Sequence, residues 1–348
     1  MKTKVLLSLV AVMVVGLLVG CAAPAPAPAP APTPAPAPAP KPELKPLTLK
    51  AVISLPYRPG GAGQQYLDFL ERVNQRAKGE LIIDFKGGSE VIPAFDQFEA
   101  IRSGVVDMGW IFAGSYQKLV PEVSSYNVTE LSPTEEREVG YHNYMIEVHK
   151  KQAMYYVGRL GSGGFVLWTV KKRVEEPYSG FQGLKVAASG TEFNGFLKKL
   201  GAVPTMLAAA EKYTAFERSI VDGNCAAVWG SYALGHGEVL KYCTDHPFWT
   251  RGGSSSLMRL ESWNKLPKNL QDLIIDEQLN TEKLLGPYFE KLLSEERANL
   301  TKQGVQFVKF APADAKWYLD MSKEAKWEEL KTAASPASYS LLRDMLRK

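Results

Sequence analysis

Residues 81–112 read LIIDFKGGSEVIPAFDQFEAIRSGVVDMGWIF. Leu81 to Phe85 is a short β-prone run, Phe95, Phe98 and Ile101 recur at helical spacing, and Gly104 breaks the helix before the apolar run Val105 to Phe112. A strand, a short helix and a strand make a βα unit, and repeated units imply a mostly parallel sheet. The pattern extends in both directions. Upstream, Leu47 to Leu55 predicts a strand, Ser54 to Gly63 a turn-rich loop, and Tyr66, Phe69, Leu70 and Val73 a helix. Downstream, Met154 to Leu160, Phe165 to Val170 and Gly183 to Ala188 predict strands, with a helix at Glu192 to Leu200 and a short apolar run at Gly223 to Trp229. The expectation is two α/β lobes. Between Leu270 and Leu300 one apolar stripe predicts a long helix. Gly286-Pro287 lies inside it, where proline removes a backbone bond and predicts a kink. Such a helix, crossing both lobes, suits a hinge strut. The strand Val305 to Phe310 and a few helices close the chain.

The chain has 348 residues, 45% hydrophobic and 22% charged, which excludes wholesale disorder and a small disulfide-stapled scaffold. Its net charge is +4, but much of the excess lies before residue 46, leaving roughly +1 for the body, so no nucleic-acid partner is expected. Lys2 and Lys4 precede the apolar run Val5 to Val19, too short to span a bilayer comfortably and suited to a signal peptide over residues 1–20. Leu18-Val-Gly-Cys21 resembles the bacterial lipobox, which implies acylation of Cys21 and a membrane anchor. Residues 21–46, mostly Ala-Pro, cannot form a helix core or a sheet ladder and read as a semi-rigid stalk. The expected location is therefore extracytoplasmic, at the membrane. Cys225 and Cys243 either pair in an oxidising compartment or stay as buried thiols; spacing alone leaves both open.

A search for chemistry finds little. Gly161-Ser162-Gly-Gly164 has Leu160 where a nucleophile elbow needs glycine. His142 and His149 share a helical face without a partner set of ligand spacing, so no metal site is expected. Pro59 to Gly63 lacks the lysine of a phosphate loop, and no dinucleotide fingerprint occurs, so no cofactor is expected and no reaction is named. Asp107 and Asp222 each follow a β-branched residue at a strand edge, where capping or turn formation is the expected role.

Several stretches in order resemble one family. They are Phe98 to Met108 with Ser115-Tyr116 and Pro121; Gly183-Leu-Lys-Val186; Leu200-Gly-Ala-Val-Pro204; Glu211, Tyr213, Ala215 and Arg218 to Gly223; Trp263 with Leu266-Pro267; and Gln303-Gly-Val305. Together, over about residues 48 to 310, they are similar to the extracytoplasmic solute-binding proteins of TRAP transporters, dicarboxylate-binding (DctP) type. The resemblance implies a two-lobed periplasmic-binding-protein-like α/β fold with a long helix crossing both lobes. It also implies a cleft that closes on a small organic acid, and docking on a permease with small and large membrane subunits. The lobes are expected at 47–164 plus 253–290 and at 165–252 plus 291–348. A receptor serving a signalling partner and a secreted enzyme of unknown reaction are the alternatives.

One departure from the resemblance bears on the ligand. The family carries an arginine two residues past the lysine of Gly183-Leu-Lys185, gripping the ligand carboxylate with a bidentate fork; here that place is Ala187. The preceding strand often supplies another arginine, but Gly161 to Thr169 has none and carries Phe165, Leu167 and Trp168; positions resembling other pocket contacts read Leu55 or Tyr57, Phe112 and Ala226, with Trp229 just beyond. Aromatic walls favour an acid or amphiphile with an apolar or aromatic part. Its carboxylate would then reach Arg58, Arg159, Lys185 or backbone N–H groups.

Overall fold

A computed structural model describes residues 46–346 except 62, 162, 163 and 208. The leader, Cys21, nearly all of the Ala-Pro stalk and Ser162 lie outside the described residues. No helix among the described residues is long and apolar enough to cross a membrane.

Two mixed sheets organise the chain. The first contains β1 (Leu47–Ile53), β2 (Leu81–Gly87), β3 (Met108–Phe112), β4 (Met154–Gly161) and, from much later in the chain, β10 (Gly253–Arg259), in the order β2-β1-β3-β10-β4. The second contains β5 (Val166–Thr169), β6 (Lys185–Ala188), β7 (Val203–Met206), β8 (Gly223–Ala226), β9 (Tyr242–Thr244) and β11 (Gln306–Val308), in the order β11-β9-β5-β8-β6-β7. The sheets are less parallel than the alternation of strands and helices implies. β10 is antiparallel to both β3 and β4, and β5 is antiparallel to β8 and β9. A strand arriving directly from the other lobe, without a helical crossover, is not obliged to run parallel to its neighbours. β10 also escapes periodicity: its run Gly-Ser-Ser-Ser-Leu-Met-Arg lacks β-branched residues, yet Ser254, Ser255 and Ser256 are all buried.

The same device sets strand register in each lobe. In the first, the Asp107 amide donates to the Lys50 carbonyl at 2.9 Å, and the Lys50 amide donates back to Asp107 Oδ2 at 2.8 Å. In the second, the Asp222 amide donates to the Lys185 carbonyl at 2.7 Å, and the Lys185 amide donates to Asp222 Oδ2 at 2.9 Å. Each aspartate thus ties the start of its strand to its parallel neighbour in the sheet, β3 to β1 and β8 to β6, the turn-forming role its position suggests.

The helix Lys268–Lys302 joins the lobes. Leu270, Ile274, Leu285 and Phe289 pack in the first-lobe core, whereas Leu300 lies in the second-lobe core. It runs as one element with Pro287 inside. The helix Gln64–Arg76 lies along it, buries Tyr66, Phe69, Leu70 and Val73, and sends Arg72 and Arg76 to Glu277 at 2.8 and 2.6 Å. The C-terminus departs from the expected boundary. The helix Pro312–Ala333 buries Tyr318 and Ala325 in the second lobe, but Leu330 and then Leu342 and Leu346 of the helix Pro336–Leu346 return to the first-lobe core. Residues 291–348 therefore do not all belong to the second lobe. The sulfur question is also decided. Cys225 pairs with Leu167 and Cys243 with Trp168 across opposite edges of β5, so a whole strand separates two free, buried thiols.

Two stability outcomes follow. Asp222→Ala removes a charge-assisted acceptor from the Lys185 amide and should cost about 1.5–3 kcal/mol, read as a lower urea midpoint. Arg159 and Glu136, both almost fully buried, approach to 3.1 Å; burial pushes the Glu136 carboxyl up to about 7 against the pull of Arg159. Glu136→Ala leaves the guanidinium uncompensated and should cost roughly 3–5 kcal/mol by the same measurement.

Candidate functional site

Parallel strands of both sheets end at the junction of the lobes: β1 and β3 from the first, β6 and β8 from the second. In open α/β sheets the loops beyond such strand ends form the ligand crevice. Among the described residues, contacts near these strand ends join the lobes. Arg58, in the loop after β1, donates from Nη1 to the Ala233 carbonyl at 3.3 Å. Trp229, beyond β8, packs against the first-lobe core. Gly114, just after β3, lies so close to Glu192 that a Cβ there would stand 2.9 Å from its carboxyl carbon.

The residues singled out from sequence divide into two groups. Tyr57, Phe112, Ala226 and Trp229 occupy strand ends or the loops after them. Tyr57 is exposed, its ring edge-on to Phe85 at 5.4 Å. Phe112 is half-buried, edge-on to Trp110 at 5.9 Å, and its amide donates to Ser54 Oγ at 3.2 Å. Ala226 is half-buried at the end of β8. Phe165, Trp168 and Ala187 instead sit within the second lobe. Phe165 packs on Phe193 at 5.0 Å and on Phe248 and Trp249 at 6.3 Å. Trp168 is fully buried and edge-on to Phe307 at 6.5 Å. Ala187 is fully buried beside Val166, Trp168 and Phe216.

The cations divide as well. Arg159 is committed to Glu136 and to the Leu131 carbonyl, 3.2 Å from Nη2. Lys185 is exposed at the start of β6, the opposite end of that strand from the junction. Arg58 remains at the mouth. A fourth cation escapes the sequence reading. Lys212, on the helix Ala209–Glu217, is only 4% exposed, and its Nζ donates to Asn224 Oδ1 at 3.0 Å. No carboxylate pairs with it within 4.0 Å among the described residues. Burial brings its ammonium down to about 8, against the pull of Cys225 and Glu192. The signal was present in sequence: Lys212 stands one turn before Phe216, on the face of the helix that also buries Ala215. Asn224 is wholly buried, faces Ala187 across the β6–β8 pairing, and leaves Nδ2 without a partner. Nearby His236 is kept neutral, its ring brought down to about 4 by burial and by the charge of Lys212, and its Nδ1 is also unpartnered. Burial raises the Glu192 carboxyl, which couples to Lys326 and Lys212, and leaves Oε2 unpartnered. This arrangement can bind and desolvate polar groups. Among the described residues no group of three His, Cys, Asp or Glu could hold a metal ion.

A family model for bacterial extracellular solute-binding protein, family 7 (DctP), matches residues 62–330. A solute-binding protein of Albidiferax ferrireducens is 22% identical over 270 residues, covering 75% of this chain and 79% of that protein. The fold is similar to a TRAP periplasmic solute-binding protein from Desulfovibrio salexigens with bound orotic acid (TM-score 0.76, 16% identity, 86% of this chain and 97% of that one). It is also similar to DctP7, a Bordetella pertussis extracytoplasmic solute receptor binding pyroglutamic acid (TM-score 0.74, 18% identity, 86% and 99% covered). The family match takes in every described strand after β1 and the helix that joins the lobes, and the chain belongs to the bacterial extracellular solute-binding proteins of family 7, receptors and not enzymes.

Proposed function

We propose that this protein captures a small organic acid between its two lobes and delivers it to a TRAP-type permease built of small and large membrane subunits. Cys21 serves as its acylated anchor and the Ala-Pro stalk as its spacer. The observation that carries this reading is the convergence of strand ends from both sheets on one junction, bridged by Arg58, Trp229 and the Glu192–Gly114 contact. Contacts from both lobes let a ligand stabilise a closed form that the free protein samples. Orotic and pyroglutamic acids, held by two structures of this fold, are ring-bearing monocarboxylates, and the same class suits this junction. Phe112 and Trp229 supply apolar surface for a ring, Tyr57 and Ala226 border it, and Ala187 brings no guanidinium. Phe165, Trp168 and Ala187 shape the second-lobe wall from behind.

The test is a thermal-shift panel on the folded body, setting ring-bearing monocarboxylates against short dicarboxylates, followed by small-angle scattering with and without the best acid. Stabilisation by a ring-bearing acid together with a smaller radius of gyration is expected; a flat response to every acid would remove the reading. Trp229→Ala should weaken the best acid by about 1.5–3 kcal/mol, roughly 10- to 150-fold in Kd, measured by calorimetry. For the anchor, Cys21→Ser should release the protein from the membrane fraction into the soluble one.

A further inference from the structure

We propose that Lys212 and Asn224 together clasp the carboxylate of the ligand beneath Ala187, and that Glu192 receives an N–H or O–H group of the same molecule. The proposal rests on the acid-receptor reading and names the groups that would select among acids.

A buried ammonium with one neutral partner among the described residues, beside a buried amide nitrogen with none among them, is a costly arrangement in a low-dielectric site. Both groups are donors, and both are close to Asn224 Oδ1, so one acceptor placed between them satisfies both. A carboxylate offers two oxygens and the charge that Lys212 lacks. Ala187, in register with Asn224 on the same face, adds only a methyl group there.

Gln97 stands ten residues before Asp107, as Lys212 stands ten before Asp222. Both are buried on the helix that precedes the clamped strand. Gln97 is saturated: it accepts from Ser54 Oγ at 3.0 Å and donates to the Ile53 and Ile92 carbonyls at 2.8 and 2.9 Å. The first lobe has closed this position with its own backbone. The second has placed a charge there and left its neighbour Asn224 half-satisfied.

Glu192 lies between two glycines, one from each lobe. Its carboxylate occupies space that only glycine leaves free on both sides, since a Cβ at Gly190 would overlap it and one at Gly114 would crowd it from the first lobe. It therefore sits where closure brings the lobes together, with Oε2 free to accept. An acid whose second functional group is a ring N–H or a hydroxyl satisfies it. A second carboxylate would face like charge, so short dicarboxylates are selected against.

The experiment uses orotate, pyroglutamate and simple 2-oxoacids as probes, with the primary amide of each acid as its uncharged counterpart. Lys212→Met should weaken the best acid at least tenfold by calorimetry, leave the affinity of its amide unchanged, and melt no lower than wild type when empty. Asn224→Asp, which supplies Lys212 with an internal counterion, should also weaken the acid at least tenfold while keeping the fold. Glu192→Gln should admit dicarboxylates that wild type rejects. A Lys212→Met protein that melts lower yet binds the acid as wild type does would make Lys212 a brace, overturning the clasp and leaving the receptor reading intact. The same holds if Asn224→Asp binds the acid unchanged. A wild-type protein that no acid stabilises would overturn both.

Discussion

The constraint on which the architecture depends is the pair of aspartate clamps at the strand edges. A one-residue slip in a β pairing moves every side chain to the other face. Asp107 and Asp222 prevent it by bonding one residue of the neighbouring strand through both amide and carboxylate. Each clamp fixes the start of its strand and so the place where that strand ends. Because the two lobes use the same device, their strand ends are presented alike, and the helix Lys268–Lys302 has only to hold two similarly built units at one junction.

Equivalent construction makes the differences between lobes informative. Asn224 stands two residues past its clamp, as Gly109 does in the first lobe, and Lys212 matches Gln97. In the first lobe the result is a sealed turn, with Gln97 bonded to two carbonyls and a hydroxyl. In the second it is a buried ammonium, an amide with a spare donor and a neutral imidazole with a spare nitrogen. Buried polar atoms without a partner among the described residues occur in both lobes; those beside Lys212 are Asn224 Nδ2 and His236 Nδ1, and the proposed acid would satisfy donors of this kind.

Long, strongly periodic segments were legible in sequence. The helix beginning near Gln64 and the helix through Leu270 to Leu300 each carry apolar residues at helical spacing, β1 alternates apolar with polar residues before Ala51-Val-Ile53, and β3 is a short apolar run. β10 was not legible because three buried serines resemble a loop, and antiparallel entry into a sheet leaves no mark in composition. The junction was half legible. Phe112 and Trp229 follow strand ends, so their place could be inferred, but Trp168 and Phe165 could not be told from core, because alternation defines two faces without saying which meets the other lobe. Lys212 was hidden by habit: a lysine in a helix is expected in water, and its burial shows only once Phe216 and Ala215 fix the inward face.

Ala187, where the family resemblance implies a guanidinium, and the buried ammonium of Lys212 bear on the proposed ligand in opposite ways, and their magnitudes weigh similarly. A charge-assisted hydrogen bond contributes about 1.5–3 kcal/mol, and burying one aromatic side chain contributes about the same. Neither alone outweighs the other, so the proposed ligand is one that uses both: a carboxylate at one end and a flat body against Phe112 and Trp229. Lysine also changes the manner of recognition. It offers a point charge on a flexible stem in place of a planar fork, and so fixes the position of an anionic head more than its orientation. Orientation then falls to groups held rigidly, the Asn224 amide on its strand and the Glu192 carboxylate between two glycines.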